Sequence, residues 1–137
     1  MYDFIPTPAV AVELDQVDAN LKKMEEEASR HGIAVRPHIK PHKSSYFAWR
    51  QLEEGAKGIT CARLSEAEMM ADHGVKDILI AYPLIGEDKM DRLSRLLKRA
   101  EVLMVINSEC GAAQLSEAGR NAGQPVRILI EIDGGLH

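Results

Sequence analysis

Cysteines, aromatic residues and long apolar runs are all scarce in this sequence. The two cysteines, Cys61 and Cys110, lack CxxC spacing, and aromatic residues make up 4% of the 137 residues. A disulfide framework is therefore excluded, and a reducing compartment is favoured. No run reaches the roughly 18 apolar residues of a membrane span, and no basic stretch followed by an apolar one stands after Met1. These absences predict a globular cytoplasmic protein without a membrane partner.

The chain also lacks an excess of basic residues. Its formal net charge is −4, which argues against nucleic acid as the main partner, since phosphate binding needs a basic surface. The apolar fraction of 45% and the charged fraction of 28% are those of an ordinary globular domain with a sizeable core. We therefore expect one domain, with no boundary inside it.

Five short apolar runs recur along the chain, with room for one helix between each pair. They are AVRPHI, GITCA, DILIAY, EVLMVIN and VRILIEID. Strands that are apolar on both faces and separated by helices are typical of a parallel sheet with helical cover. An open nucleotide-binding sheet would carry a glycine-rich turn after its first strand, and this sequence has KPHKSS there. The pattern predicts an α/β fold, a partial (β/α)8 TIM barrel of about five βα units.

A full barrel takes about 250 residues, and the fifth apolar run ends close to His137. We therefore expect residues 1–137 to be the N-terminal part of a longer barrel. The helices between the runs carry their own signals. Ser65 to Glu68 has the pattern of a capping box, and a helix over residues 87–99 has an inward apolar face. That face consists of Met90, Leu93, Leu96 and Leu97.

The octapeptide RPHIKPHK, residues 36–43, concentrates basic and imidazole side chains in an acidic protein. Its first half lies in the first predicted strand, where residues two apart share a face. Arg36, His38 and Lys40 then share one face, and the intervening apolar residues occupy the other. A row of cations on an inner sheet face is costly unless an anion or a chemical modification compensates it. The row therefore predicts a ligand.

Lys40 ends the first predicted strand, and in parallel α/β folds functional groups gather at the carboxyl ends of strands. On an inner face of low dielectric, beside Arg36 and His38, its ammonium form is disfavoured and a free amine becomes available. Such an amine forms a Schiff base with a carbonyl substrate or with pyridoxal phosphate. The alternative is an ordinary lysine on a surface loop.

Polar side chains follow the other predicted strands as well. They are found in the segment 60–63, at Tyr82, at Asn107 and at Asp133. Tyr82 is either a core aromatic residue or part of the site. One carboxylate of Glu131 and Asp133 is expected to point into the barrel, where it needs a cationic partner.

His38 and His42 have the spacing HxxxH, which raises the alternative of a metal site. On a strand, residues four apart are separated by roughly 13 Å, so one ion would be shared only if the chain turned sharply after Lys40. No third ligand is evident nearby, and we assign no metal ligand in this sequence. We expect His38 to pack under a cofactor or to orient a neighbour, and His42 to be a loop residue within reach of substrate.

Four segments together resemble one known family. They are TPAVAVELDQVDANL, RPHIKPHK, GITCARLSEAEMMADHGVKDILIAYPL and ILIEIDGGLH. The chain resembles the N-terminal barrel part of the fold-type III pyridoxal-phosphate enzymes, specifically the D-threonine aldolase and D-serine dehydratase group, related to alanine racemase. It departs from the common pattern at Pro41, where a threonine is frequent.

The resemblance implies that Lys40 holds pyridoxal 5'-phosphate as an internal aldimine and that Lys43 is only its neighbour. It implies cofactor contacts from His38, Tyr82 and Asp133. The implied reaction is aldol cleavage or dehydration of D-amino acids that bear a β-hydroxyl. Several members also use a divalent metal, bound by ligands in a C-terminal β-domain outside this sequence, and we expect a homodimer or higher oligomer.

Three other functions stay open from the residues. An amino-acid racemase would use the same cofactor-linked lysine with a second base from elsewhere. A carrier barrel would bind pyridoxal phosphate without turnover. An inactive truncated fragment would keep the lysine without enough of the site.

Overall fold

The structure, a computed structural model, describes residues 4–135. It contains five helices, α1 (Leu14–Arg30), α2 (Ser45–Glu53), α3 (Leu64–Asp72), α4 (Glu87–Leu97) and α5 (Glu109–Ala122). Four strands alternate with the later helices, β1 (Ile59–Cys61), β2 (Asp77–Ile80), β3 (Glu101–Ile106) and β4 (Arg127–Ile130).

The four strands form one parallel sheet in the order β1-β2-β3-β4. Each strand is joined to the next by one helix, so neighbours in the chain are also neighbours in the sheet. The registers align Ile59 with Ile78 and Ile78 with Val102. This is the parallel α/β arrangement that the spacing of the apolar runs predicts.

The first predicted strand, AVRPHI, is not a regular strand. It is an extended segment with one isolated parallel bridge, between His38 and Thr60. Three backbone bonds attach it to β1 and the loop before it: Ile39 N–H to the Thr60 carbonyl at 2.9 Å, Thr60 N–H to the Pro37 carbonyl at 2.7 Å and Lys57 N–H to the Val35 carbonyl at 2.9 Å. Pro37 has no N–H to extend the ladder, which explains why the pairing stays this short.

The core lies between the sheet and helices α3, α4 and α5. Alternate strand residues, such as Ile78 and Ile80 in β2, are fully buried on the helix side. The predicted inward face of α4 is confirmed, because its four apolar residues are all buried. Helix α1 has no buried residue, and β4 is exposed along its whole length. Packing is therefore strongest in the middle of the sheet.

The capping box predicted at Ser65 to Glu68 is in the wrong register. The N-cap of helix α3 is Arg63, two residues before Ser65, and it makes no side-chain cap bond, so the helix begins at Leu64. Glu66 is the acidic residue that reaches back, and its Oε2 accepts the Ala62 N–H at 2.9 Å. The first turn of the helix therefore still carries a carboxylate, where the helix dipole favours negative charge.

A tight turn follows Lys40. The Ile39 carbonyl accepts the N–H groups of His42 at 3.1 Å and of Lys43 at 2.8 Å. Lys43 has φ +49°, a left-handed conformation that is uncommon outside glycine. The ring Nδ1 of His42 then accepts the Ser44 N–H at 3.1 Å, directly before α2. The chain is therefore redirected within four residues of Ile39.

Arg36 lies away from Lys40, so the two cations do not stand side by side as the octapeptide pattern predicts. Its guanidinium makes a bidentate ion pair with Asp77 at the start of β2, with Nη1–Oδ1 and Nη2–Oδ2 distances of 2.8 and 2.9 Å. Asp77 opens β2, so the pair lies at the amino end of the sheet, whereas Lys40 lies beyond the carboxyl end of its segment. Gly58 makes room for the pair, because a Cβ there would stand 2.3 Å from Arg36 Nη1.

Within residues 4–135, none of the helices has the length and the apolar character needed to cross a membrane.

Replacing Asp77 by Asn is expected to destabilise the fold. The change leaves the Arg36 charge without its partner, and the two side chains are only 17% and 24% exposed. We expect a loss of about 1–3 kcal/mol in the free energy of unfolding, measured by urea denaturation. The matched control is Asp72→Asn, which breaks the exposed pair with Arg99 and should cost about 0–1 kcal/mol. Equal losses in the two variants would contradict this account.

The fold should lose stability as the pH falls below neutrality, partly through His42. Burial lowers the pKa of His42 from 6.5, against smaller opposing effects of the neighbouring Gln51 and Ser44. The unfolded chain then binds the proton more readily, so this contribution is complete above pH 6.5 and declines as the pH falls through that value towards the folded pKa.

Urea denaturation between about pH 7.5 and pH 5 measures this effect, since the histidine window lies there. His42→Asn retains an acceptor for the Ser44 N–H and removes the titrating ring. We expect its stability to fall less steeply with pH than that of the wild type. Parallel pH profiles would show that His42 does not contribute.

Candidate functional site

The extended segment and the sheet align one row of side chains on the face opposite the helices. His38 pairs with Thr60, Thr60 is in register with Leu79, and Leu79 with Leu103. These residues alternate with the buried ones that face the helices, so they belong to the inner side of the curved sheet. His38 is thus placed on the predicted face, in a row that continues through Thr60 to Leu79 and Leu103.

Lys40 lies just past this row and is exposed, not buried as expected from its place on an inner face. Its backbone N–H donates to His38 Nδ1 at 3.2 Å, while Ile39 beside it is fully buried. The backbone at Lys40 is therefore anchored although the side chain is open. Within residues 4–135, no carboxylate lies within 4.0 Å of its Nζ. The amine is accessible and has no ion-pair partner in the described part of the chain.

His38 is the immediate neighbour of Lys40. Burial lowers its pKa from 6.5, the positive charge of Lys40 lowers it further, and the carboxylate of Glu66 opposes both effects. At neutral pH the ring is therefore predominantly neutral, with Nδ1 accepting the Lys40 N–H. The neutral ring therefore adds no second positive charge beside the Lys40 amine.

Glu66 is a functional candidate that the sequence interpretation missed. It is 7% exposed, and besides capping Ala62 its Oε1 lies 3.6 Å from the Lys43 Nζ. Its charge also opposes the lowering of the His38 pKa and adds to the raising of the Cys61 pKa. The signal for it is the acidic SEAE segment, in which a helix start two residues earlier makes Glu66 the capping carboxylate.

Cys61 shares this neighbourhood without being reactive. Burial, and secondarily the charge of Glu66, raises the pKa of its thiol to about 12. A thiol with that pKa is protonated at neutral pH, which makes it a poor nucleophile. Cys61 is completely buried and belongs to the core.

Tyr82 lies one strand further along the edge and lines a cavity of about 470 Å³ between α3 and α4. The charged residues around this cavity are all basic, namely Arg63, Lys89 and Arg92. Arg92 is paired with Glu68. Tyr82 is 42% exposed, so it is not a core aromatic, and its contact with a cofactor stays a prediction.

Asp133 lies beyond the opposite edge of the sheet, after β4. Its Oδ1 accepts the Gly135 N–H at 2.8 Å, which ties it to its own loop. Glu131 finds a partner instead, because its Oε2 accepts from Asn107 Nδ2 at 3.2 Å. The sheet order separates Asp133 from Lys40 by the width of the whole sheet.

The His42 ring is only partly accessible to solvent. Its ring is half-buried, packs edge-on against Phe47 with centroids 5.7 Å apart, and has a buried Nε2 without a hydrogen-bond partner in the described part of the chain. The buried Oε1 of Gln51 is likewise unpaired there. The role of His42 in substrate binding stays a prediction. The structure thus brings His38, Lys40 and Glu66 together, and leaves Tyr82 and Asp133 further along the edge.

Known proteins share both the sequence and this fold. The sequence profile of the family described as "Alanine racemase, N-terminal domain" matches residues 12–137. The chain is 36% identical over 131 residues to the D-threonine aldolase of an Arthrobacter species, covering 96% of this chain and 35% of that protein. It is 31% identical over 133 residues to the D-threo-3-hydroxyaspartate dehydratase of a Delftia species, covering 97% of this chain and 35% of that protein.

A solved structure gives the same result. The crystal structure of D-threonine aldolase from Filomicrobium marinum superposes with a TM-score of 0.93 at 36% identity, covering 97% of this chain and 36% of that one. The chain therefore spans about a third of the length of these relatives. It belongs to the alanine racemase N-terminal domain family of fold-type III pyridoxal-phosphate-dependent enzymes, and its α/β fold is part of their cofactor-binding barrel.

Proposed function

We propose that this chain is the lysine-bearing part of a lyase that uses pyridoxal 5'-phosphate and acts on D-amino acids with a β-hydroxyl group. The reaction is aldol cleavage or dehydration, the two types that the names of the relatives state for those proteins. Because the chain spans about a third of these relatives, the activity is proposed for the complete protein. Residues 1–137 are proposed as its N-terminal barrel part.

The placement of Lys40 carries this proposal. A primary amine stands exposed at the carboxyl edge of a parallel sheet, immediately after a residue that is fully buried. No carboxylate of residues 4–135 neutralises it, and its neighbour His38 is neutral near pH 7 because burial lowers its pKa. An accessible amine on a fixed backbone is what covalent attachment of an aldehyde requires.

The residues at this edge fit pyridoxal phosphate at its reactive end. When bound, this cofactor supplies an aldehyde for a lysine amine and a ring that withdraws electrons from the bonds of the substrate α-carbon. Lys40 would hold the aldehyde carbon, and the His38 ring lies next to it for packing or orientation. Thr60 beside His38 is buried, and its hydroxyl donates to the Arg36 carbonyl at 3.5 Å, which adds a further bond between β1 and the segment.

Leucine side chains on the same face also support the proposal. Leu79, Leu103 and Leu129 lie on the inner side of the sheet, next to or beyond the His38–Thr60 pair. Side chains of this type exclude water from a site once the barrel is closed over them. Exclusion of water limits hydrolysis of the bond between the lysine and the cofactor.

We propose that any divalent metal in the complete enzyme is held by residues outside this chain. Across residues 4–135, no group of three or more His, Cys, Asp or Glu side chains is arranged to hold a metal ion. The cytoplasm is the proposed location, supported by two free cysteines, Cys61 and Cys110. Small D-amino acids are the proposed substrates, with no role for nucleic acid.

Self-association through β4 is also proposed. Among the described residues β4 is the last strand in the sheet order, so in this chain taken alone one of its edges has no neighbouring strand. Its apolar side chains Ile128, Leu129 and Ile130 are 44%, 47% and 71% exposed. An exposed apolar edge strand is a template for pairing with another chain. A second copy of this chain is the proposed partner.

The test of the cofactor site is a spectrum of the chain mixed with pyridoxal phosphate and desalted, followed by borohydride reduction and peptide mapping. We expect a retained visible band and a reduced adduct on Lys40, both lost in Lys40→Ala. Lys57→Ala is the matched control, since this lysine precedes β1 near the amino end of the sheet, and it should leave the adduct unchanged. An adduct spread evenly over several lysines would contradict the proposal.

The reaction type is tested on the complete protein with D-threonine, D-serine and D-alanine. Aldehyde or keto acid is the expected product. Formation of an L-isomer alone would identify a racemase instead, and cofactor binding without any product would identify a carrier.

Ile130→Lys should reduce self-association, because a charge on the open strand opposes pairing between sheet edges. Light scattering after size exclusion is expected to show a concentration-dependent mass for the wild type and a monomer for this variant. Val10→Lys is the control, since Val10 is 94% exposed and lies outside the sheet. A wild-type monomer at high concentration would refute the proposed partner.

A further inference from the structure

The octapeptide contains two lysines three residues apart, and the structure treats them differently. Lys43 Nζ lies 3.6 Å from Glu66 Oε1. Lys40 Nζ has no carboxylate within salt-bridge distance anywhere in residues 4–135. Both side chains are exposed, so accessibility alone does not distinguish the two amines.

Glu66 is well placed to distinguish them. It is fixed by its bond from the Ala62 N–H at 2.9 Å, and its side chain is 9% exposed, whereas that of Lys43 is 57% exposed. A carboxylate held at this burial needs a cationic partner more than an exposed one does. The Glu66 carboxylate is therefore the fixed member of the pair, and the exposed Lys43 side chain is the flexible one.

The turn after Lys40 presents Lys43 to that carboxylate. Lys43 adopts φ +49°, and its N–H is bonded to the Ile39 carbonyl at 2.8 Å. This conformation is uncommon for a residue with a Cβ, and it turns the chain directly after Lys40. The turn conformation and the ion pair with Glu66 therefore both position Lys43.

We propose that Glu66 determines which lysine of the octapeptide reacts: it engages the ammonium of Lys43 and leaves Lys40 as the available nucleophile. Condensation with an aldehyde needs the amine lone pair, which forms the new carbon–nitrogen bond while water leaves. This inference rests on the proposed function for its biological meaning, because the aldehyde in question is that of the cofactor. Glu66 itself is a positioning residue and does not take part in bond formation.

The test is trace acylation of the 137-residue chain with acetic anhydride at one fixed pH, without any cofactor. Fragment-ion mass spectrometry then measures the label on Lys40, Lys43 and Lys76. Glu66→Gln keeps the size of the side chain and an acceptor for the Ala62 N–H, and it removes only the charge. We expect the labelling rate of Lys43 to rise roughly two- to fivefold, the range for a partly exposed ion pair, with a smaller change at Lys40.

Glu68→Gln is the matched control. It removes the same charge from the same helix, but Glu68 pairs with Arg92 and not with Lys43. Its Lys43 labelling should equal that of the wild type. An unchanged Lys43 in Glu66→Gln, or the same rise in both variants, would overturn the inference.

Lys76 reports whether a variant is folded, because its Nζ donates to the Arg99 carbonyl at 3.1 Å. If its labelling also rises in Glu66→Gln, the wild type is labelled instead in about 0.05 M and about 1 M salt, since screening weakens an exposed pair. Lys43 should then gain label relative to Lys40 at high salt, and a constant ratio would refute the inference.

Borohydride trapping with pyridoxal phosphate separates this inference from the proposed function. Wild-type adduct on Lys40 that is shared with Lys43 in Glu66→Gln supports both. Absence of any Lys40 adduct, combined with the expected acylation pattern, would refute the cofactor site and leave the role of Glu66 standing. Adduct on Lys40 with no effect of Glu66→Gln in either assay would do the reverse.

Discussion

The site depends on the short parallel pairing between the segment 35–39 and strand β1. Two backbone bonds join Pro37, Ile39 and Thr60, and they place the Ile39 side chain in the core with no exposed surface. Lys40 follows directly, so its backbone is fixed by a buried neighbour while its amine stays in solvent. Without this pairing the octapeptide would be a loop, and its lysines would have no defined position.

Electrostatics then divides the octapeptide into parts with different roles. Asp77 takes the first cation, Arg36, at the amino end of the sheet. Glu66 takes the last, Lys43, near the carboxyl end. A dense basic stretch is therefore tolerated in an acidic protein, because each outer charge has a partner and only Lys40 is left without one in the described part of the chain.

Much of the fold follows from short-range pattern. The alternation of apolar runs with amphipathic stretches predicts a parallel sheet with helices, and the buried face of α4 follows from its spacing, as at Met90 and Leu93. Such patterns suffice because they depend on which residues one element can bury. Helix starts and strand lengths are less well determined. Pro37 shortened the first pairing, and a shift of one or two residues moved the capping carboxylate to Glu66.

The candidate site was predictable in its central residue but not in its surroundings. Lys40 and His38 were identified because they end an apolar run in a fold whose strand ends meet. Their electrostatic environment was not, because partners such as Asp77, 41 residues from Arg36, are brought near only by strand pairing. The expected burial of Lys40 was wrong for the same reason, since burial depends on everything that packs around a side chain.

By itself the sequence determined the fold class and the order of most elements, and it predicts Lys40 as the residue for cofactor attachment, because these follow from local periodicity and from the type of side chain. Only the tertiary structure decided which carboxylate pairs with which cation and which lysine stays unpaired among the described residues. Those properties depend on distances of a few ångströms between segments far apart in the chain. Such distances exist only once the sheet has formed.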